Sequence, residues 1–270
     1  MTLETVDLTP RIGTEFKAEA EDLLSGKHSE QIRDVLGKRG LLLFRRANLD
    51  DSQQVDFART LGDLTNTGED HIYKVTLDKS VTKTADYLLG TFLWHIDGTT
   101  DEIPSRASLL SARHLSEEGG QTEWANTYAA YEDLPDDEKE AIEGLRVVHS
   151  AETIERKARP DFTEEDVEDW RTRAVRSHPL VWNHASGRRS LVLGATASHV
   201  EGMDPDESRA LLDRLLDHAT QRQYVYQHEW QVGDLVIWDN TGTMHRVVPY
   251  TVESGRMMHR TTLVGEEPLA

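Results

Sequence analysis

His95 and Asp97 stand two residues apart in Thr91-Phe-Leu-Trp-His-Ile-Asp-Gly98. In an extended chain that spacing turns an imidazole and a carboxylate toward one point from the same face. A second histidine delivered from elsewhere would complete the two-histidine, one-carboxylate face that leaves about three positions of a ferrous ion open for reactants. The pair alone also reads as a strand-end histidine beside a carboxylate, since a chain with 12 histidines shows this spacing by chance.

The candidate partners lie far downstream. Gly233-Asp-Leu-Val-Ile-Trp-Asp-Asn240 reads as a turn and a buried strand, Thr-Gly-Thr-Met leads to His245, and Arg256 and Arg260 follow in Gly255-Arg-Met-Met-His-Arg-Thr-Thr262. With Trp94-His95-Ile96-Asp97 ahead of them, this succession resembles the taurine dioxygenase/2,4-D dioxygenase (TauD/TfdA) family of Fe(II)/2-oxoglutarate-dependent dioxygenases, from about Gly40 to Val264. The resemblance implies a double-stranded β-helix (jelly roll) and Fe(II) held by His95, Asp97 and His245. It implies 2-oxoglutarate and O2 as co-substrates, with release of succinate and CO2. The outcome it implies is hydroxylation of a small anionic substrate, or desaturation or epoxidation of it. It assigns Arg256 and Thr122 to the distal carboxylate of 2-oxoglutarate and Arg260 to the acid group of the substrate. His71 and Tyr73 fall in the stretch where the family holds an anionic substrate, and Thr91 at a substrate-contacting position that is often asparagine.

The residue types suit those roles on physical grounds. A guanidinium is a planar fork that pairs with both oxygens of a carboxylate. Strand alternation would put Arg256, Met258, Arg260 and Thr262 on one face, with the two arginines roughly 13 Å apart along the chain. Two arginines flanking a methionine make better sense lining a partly apolar site than on the surface. Arg260 has the alternative of pairing with an internal carboxylate, because buried cations are commonly paired. His259 falls on the opposite face and reads as packed or exposed, and His114, His149, His184 and His228 have no ligand-spaced partner. Two other classes stay open: a cupin-like Zn or Mn hydrolase or isomerase, and a catalytically silent metal- or anion-binding module. A zinc hydrolase would want a general base beside its water, and the motif neighbourhood offers no obvious glutamate.

The elements that must position these residues are legible in outline. Helical spacing covers 14–38, with Gly37 and Gly40 as stops, and 51–62, capped by Asp51 or Ser52. Leu41 to Phe44 is a continuous apolar run, as of a buried strand. A strand candidate spans 71–77, and Arg106 onward alternates like a strand whose antiparallel return, after Gly119-Gly120, is Gln121 to Asn126. Residues 129–145 and 206–219 read as helices, 160–175 as a charged helix or flap, and 177–194 as two short strands around Ala185-Ser-Gly-Arg188. Many short strands with helices early and at insertions make a mainly β chain with helical cover. The expectation is a single domain over 1–270, with lid or insert segments near 64–90 and 155–176.

Composition bounds the partners. A formal charge of −19 across 270 residues disfavours nucleic acid and anionic membrane, and the chain has no cysteine. No apolar run approaches the length that crosses a bilayer, and the N-terminus is acidic rather than a basic leader, so the expected location is cytoplasmic. The expected partner is a small anionic molecule, and a homo-oligomer is left open. An anion entering so acidic a molecule needs arginines inside the site.

Overall fold

The computed structural model describes residues 2–269. Two strands, β1 (Glu4–Asp7) and β2 (Thr14–Lys17), precede helices α1 (Ala20–Leu24) and α2 (Ser29–Arg39). The helix expected over 14–38 is therefore interrupted at its start. Phe16 lies on β2, where burial alternates, and stacks on Phe44 with ring centroids 5.4 Å apart. Gly37 sits inside α2, and the stop is Gly40, left-handed at φ 73° with its N–H on the Leu36 carbonyl. Next come β3 (Leu41–Phe44), wholly buried, and α3 (Asp51–Leu61), capped one residue earlier than expected by Asp50, whose carboxylate accepts the Gln53 N–H.

The middle of the chain carries β4 (Tyr73–Val75), a 3-10 turn at Tyr87–Phe92, β5 (Ala107–His114) and β6 (Thr122–Asn126). Pro135 splits the helix expected over 129–145 into α4 (Thr127–Glu132) and α5 (Asp136–Ile142), because proline cannot donate to a continuing helix. Then follow β7 (Arg146–Ser150), α6 (Ala151–Ala158), α7 (Glu164–Arg171), β8 (Val175–Pro179), β9 (Val181–Asn183), β10 (Arg189–Leu191) and β11 (Ala197–Val200). The chain closes with α8 (Pro205–Ala219), β12 (Val225–His228), β13 (Leu235–Asp239), β14 (Thr243–Val247) and β15 (Met257–Thr262).

Among the described residues the largest sheet runs β1-β2-β3-β13-β5-β15-β4, and β12-β6-β14 forms a smaller one. The two face each other: Trp124 of β6 meets Trp238 of β13 with centroids 5.8 Å apart, among Leu41, Leu43, Leu110 and Met258. The outer face of the large sheet is covered by α1 to α3, where Leu42, Phe44 and Ile237 pack on Leu23, Ile32 and Phe57. Burial on both faces explains why β3 and β13 read as unbroken apolar runs. This is a jelly roll, mainly β with helical cover. One pairing differs from expectation. Thr122–Asn126 is not the return of β5: it pairs with β12 and β14, while β5 pairs with β13 and β15. Gly119 and Gly120, at φ 70° and 80°, carry the chain across to the facing sheet. Among the described residues no helix is long and apolar enough to cross a membrane.

One buried network ties β13 to the end of β3. The Asp234 carboxylate is wholly buried and accepts from Arg45 Nη1 at 2.7 Å, the backbone N–H groups of Arg46 and Gln231 at 3.0 Å each, and His228 Nε2 at 3.1 Å. Burial pushes this carboxyl up, but the His228 and backbone hydrogen bonds and the Arg45 charge outweigh it, so its pKa lies below the ordinary value. A depressed folded pKa gives stability that is present above the unfolded value of about 3.9 and lost as pH falls through the folded value. Asp234→Ala should cost about 3–5 kcal/mol, measured by urea unfolding at neutral pH. The deficit relative to wild type should shrink as the pH is lowered into that window.

Candidate metal centre and its cavity

The 3-10 turn at Tyr87–Phe92 delivers an extended segment to the edge of β14. There His95 and His245 exchange backbone hydrogen bonds, His95 N–H to the His245 carbonyl at 3.0 Å and the reverse at 2.8 Å. His95 thus makes one bridge rather than a full strand, and Asp97 follows in the turn after it. The outcome is a cluster in which ligand atoms of His95, Asp97 and His245 all lie within 4.8 Å of one another. His95 Nε2 is 3.8 Å from Asp97 Oδ1, and His245 Nε2 is 3.9 Å from Asp97 Oδ2.

The protonation states suit a cation at that point. His95 Nδ1 lies 2.8 Å from the Leu93 carbonyl, which can only accept, so Nδ1 carries the proton and Nε2 offers its lone pair. Burial pushes His245 down to about 3, helped by neighbouring His95, and burial likewise lowers His95. Both imidazoles are therefore neutral at physiological pH, and their approach to Asp97 is not ion pairing. Burial works to raise Asp97, but the Arg260 charge, then His245 and His95 in the acid range where they are protonated, and the Ser108 hydroxyl hold it at about 2. Two neutral nitrogens and one carboxylate are the forms a divalent ion requires, and the set suits ferrous iron.

Asp97 has its own supports. Arg260 Nη1 donates to Asp97 Oδ2 at 3.1 Å, and the Ser108 hydroxyl reaches the same oxygen at 3.5 Å. Asn240 Nδ2 donates to Ser108 Oγ at 3.1 Å, which leaves the hydroxyl proton for Asp97. Sequence reasoning assigned no role to Ser108 or Asn240. The available signal was the Trp-Asp-Asn triplet, whose members divide the work: Trp238 packs on the His245 ring at 4.9 Å, Asp239 accepts the Thr241 N–H and hydroxyl, and Asn240 reaches Ser108.

Arg256 directly precedes β15 and is 2% exposed. Its Nη2 donates to the Gly120 carbonyl at 3.1 Å, its guanidinium lies 4.8 Å from the Tyr250 ring centroid, and its Nε has no partner. Among the described residues it makes no salt bridge, so it is a buried cation without an anion, and burial lowers its pKa. Gly120 is needed beside it, since a Cβ there would come within 2.9 Å of Arg256 Nε. Thr122, two residues on, is buried, and its hydroxyl accepts the Trp230 indole N–H at 3.0 Å.

Arg260, Tyr73 and Thr91 line one cavity of about 210 Å³ with His95 and Asp97. The Arg260 guanidinium lies 5.1 Å from the Tyr73 ring centroid, and Thr91 donates to the Leu88 carbonyl at 2.6 Å. Neither Thr122 nor Arg256 lines this cavity. His71 is not brought there either. It occupies a tight turn with Asp70, both at positive φ, binds the Thr65 carbonyl through Nδ1 at 2.9 Å, and lines a different hollow with Asp51, Arg59 and Lys74. That turn swings the imidazole away from the site while the next strand carries Tyr73 into it. His259, as its opposite face implies, packs outward on Asp51 Oδ1 at 2.7 Å.

The family model described as "Taurine catabolism dioxygenase TauD, TfdA family" matches residues 4–262. The chain is 38% identical over 257 residues to an alpha-ketoglutarate-dependent 2,4-dichlorophenoxyacetate dioxygenase of Burkholderia sp. (strain RASC), covering 87% of this chain and 86% of that protein. It is 31% identical over 282 residues to an alpha-ketoglutarate-dependent sulfate ester dioxygenase of Pseudomonas putida, covering 100% of this chain and 92% of that one. Among solved structures, the crystal structure of AAD-2 in complex with Mn(II) and N-oxalylglycine superposes with a TM-score of 0.86 at 32% identity, covering 100% of both chains.

Proposed function

Since the chain belongs to the TauD/TfdA family and is therefore an iron(II)- and 2-oxoglutarate-dependent dioxygenase, we propose that it oxidises a small or medium-sized organic acid whose anionic group is met by Arg260. Held by His95, Asp97 and His245, ferrous iron would supply the chemistry that couples dioxygen to decarboxylation of 2-oxoglutarate, yielding succinate. Arg256, with the Thr122 hydroxyl as a weaker partner, would grip the distal carboxylate of that co-substrate. Neutral His95 and His245 need shed no proton to bind the metal, which keeps the donor set ready across the physiological range.

The observation that carries the substrate class is Arg260 itself. Its guanidinium opens onto the cavity that also holds Asp97 and His95, and among the described residues its buried Nε has no partner. A cation so placed in a molecule of charge −19 can meet an incoming acid without leaving Asp97 entirely, because the fork presents several donors. The relatives named for 2,4-dichlorophenoxyacetate and for sulfate esters act on compounds bearing an anionic group, which supports the same class here. Hydroxylation is the expected outcome, with desaturation or epoxidation following from a different pose of the same substrate. A hydrolytic reading is not favoured, because the family model is that of a dioxygenase and the named relatives are alpha-ketoglutarate-dependent dioxygenases.

A second reading is that Arg260 serves Asp97 alone, as the 3.1 Å contact would allow. Arg260→Ala separates the two. Loss of a charge-assisted contact to the substrate should raise its KM by roughly tenfold or more, while substrate-free succinate formation persists. If succinate formation collapsed with it, Arg260 would be a support of Asp97. The substrate itself would be sought by mass spectrometry of a library of small acids, for gain of one oxygen or loss of two hydrogens in the presence of iron and 2-oxoglutarate.

A further inference from the structure

The small cavity that holds His95 and Asp97 has a larger neighbour. A groove of about 840 Å³ runs between the 83–87 stretch and the α6–α7 region, bounded by Thr84, Glu155, Arg159, Trp170 and Arg173. Tyr87 lines both spaces. The rest of the partition is thin. Tyr73, on the cavity side, bonds through its hydroxyl to Thr84, on the groove side, and on α6 Ile154 faces the cavity while Glu155 faces the groove.

Core packing does not account for Tyr87. It is 50% exposed, whereas Leu88 and Gly90 of the same turn are buried and a Cβ at Gly90 would come within 3.2 Å of Ile154. The turn is thus anchored on α6 and the ring is not. The ring's visible tether is Arg173, whose guanidinium lies 5.5 Å from the ring centroid and is itself held by Asp169 at 2.9 Å and Glu155 at 3.7 Å. A cation–π contact at an exposed site is weak, so the ring can move aside at little expense. Asp97 lines the cavity and Glu155 the groove, so Tyr87 stands between two acidic groups, one on each side.

We infer that Tyr87 is a specificity-determining residue: its ring closes the small cavity against the groove and so sets the length of acid the enzyme accepts. The inference rests on the reading of Arg260 and the metal centre given above. Acids that fit about 210 Å³ bind behind the ring, and longer ones must displace it and lay their tails in the groove. There the arginines are already paired, Arg159 with Glu155 and Asp166, and Arg173 with Glu155 and Asp169. A neutral tail therefore suits the groove better than a charged one.

The test uses straight-chain monocarboxylic acids of increasing length, titrated by calorimetry into the full-length protein loaded with Mn(II) and 2-oxoglutarate. In wild type, affinity should rise with length and then fall by a step of roughly twofold to fivefold, the worth of the displaced cation–π contact, at the length that first overfills the cavity. In Tyr87→Ala the fall should vanish, each further methylene adding roughly threefold to fourfold in affinity, and Tyr87→Phe should keep the wild-type limit because the ring is what obstructs. A wild-type length profile in Tyr87→Ala, or a Tyr87→Phe variant as open as the alanine variant, would overturn the inference. Succinate formation by the wild-type enzyme with iron, in the presence and absence of the acids that bind, is read separately. Its absence would remove the proposed function, whereas its presence with an unchanged length profile would remove only the role of Tyr87.

Discussion

Single replacement of His95, Asp97 or His245 by alanine should abolish iron-dependent succinate formation and leave the fold standing. With three donors converging within 4.8 Å, removal of one leaves a two-point site. The loss of metal affinity should exceed the roughly 10–100-fold typical of losing a partner outside the ligand set. The structural penalty is smaller, because the antiparallel bridge between His95 and His245 is made by their backbones and survives truncation of either side chain. His245→Ala gives up the packing of its ring on Trp238 at 4.9 Å and should show the largest drop in melting temperature of the three. Asp97→Ala removes the partner of Arg260 and should show up chiefly as lost metal. Anaerobic metal titration, circular dichroism and succinate release distinguish these outcomes. A His245→Ala protein that turned over normally would remove the histidine from the centre.

The parts of the site that could be read in the sequence are those set by local geometry. His95 and Asp97 are two residues apart, and β13 runs apolar because both its faces are buried. His245 was legible only through the resemblance to the family's motif order, because the short turn after β13 carries it to the facing sheet on β14. What escaped depends on contacts between distant segments. Nothing local to Gln121–Asn126 says that it crosses to the facing sheet; that follows from where β12 and β14 arrive a hundred residues later. Phe16 fits a helical stripe as well as it fits alternation on β2, and only its stacking on Phe44 decides. His71 and Tyr73 look equivalent as a pair, but the left-handed turn at Asp70 and His71 sends one outward and the other in. Ser108 was invisible because a small hydroxyl on an alternating strand carries no signal until Asn240 and Asp97 are seen on either side of it.

Arg256→Ala should raise the concentration of 2-oxoglutarate needed for turnover far more than that of the substrate. The guanidinium is 2% exposed, donates to the Gly120 carbonyl, and among the described residues has an Nε with no partner. A buried cation left so incompletely satisfied is costly, and a carboxylate arriving beside it would relieve that cost. Truncating one partner of a buried charge pair is worth about 2–5 kcal/mol, so the co-substrate requirement should rise by roughly thirtyfold at the least. Thr122→Val removes a single hydroxyl donor and should move the same parameter less, since one hydrogen bond to the carboxylate is lost where Arg256→Ala loses a bidentate contact and a charge. Arg256→Lys keeps the charge and loses the fork, and should fall between the two. The stability of the variant, with and without 2-oxoglutarate, separates this role from a structural one. If Arg256 existed to hold the Gly120 carbonyl, the alanine variant would unfold more easily with its 2-oxoglutarate dependence unchanged. If it waits for the co-substrate, relief of a buried unpaired charge offsets the lost packing in the free protein, and the deficit appears when 2-oxoglutarate is added and fails to raise the melting temperature as it does in wild type.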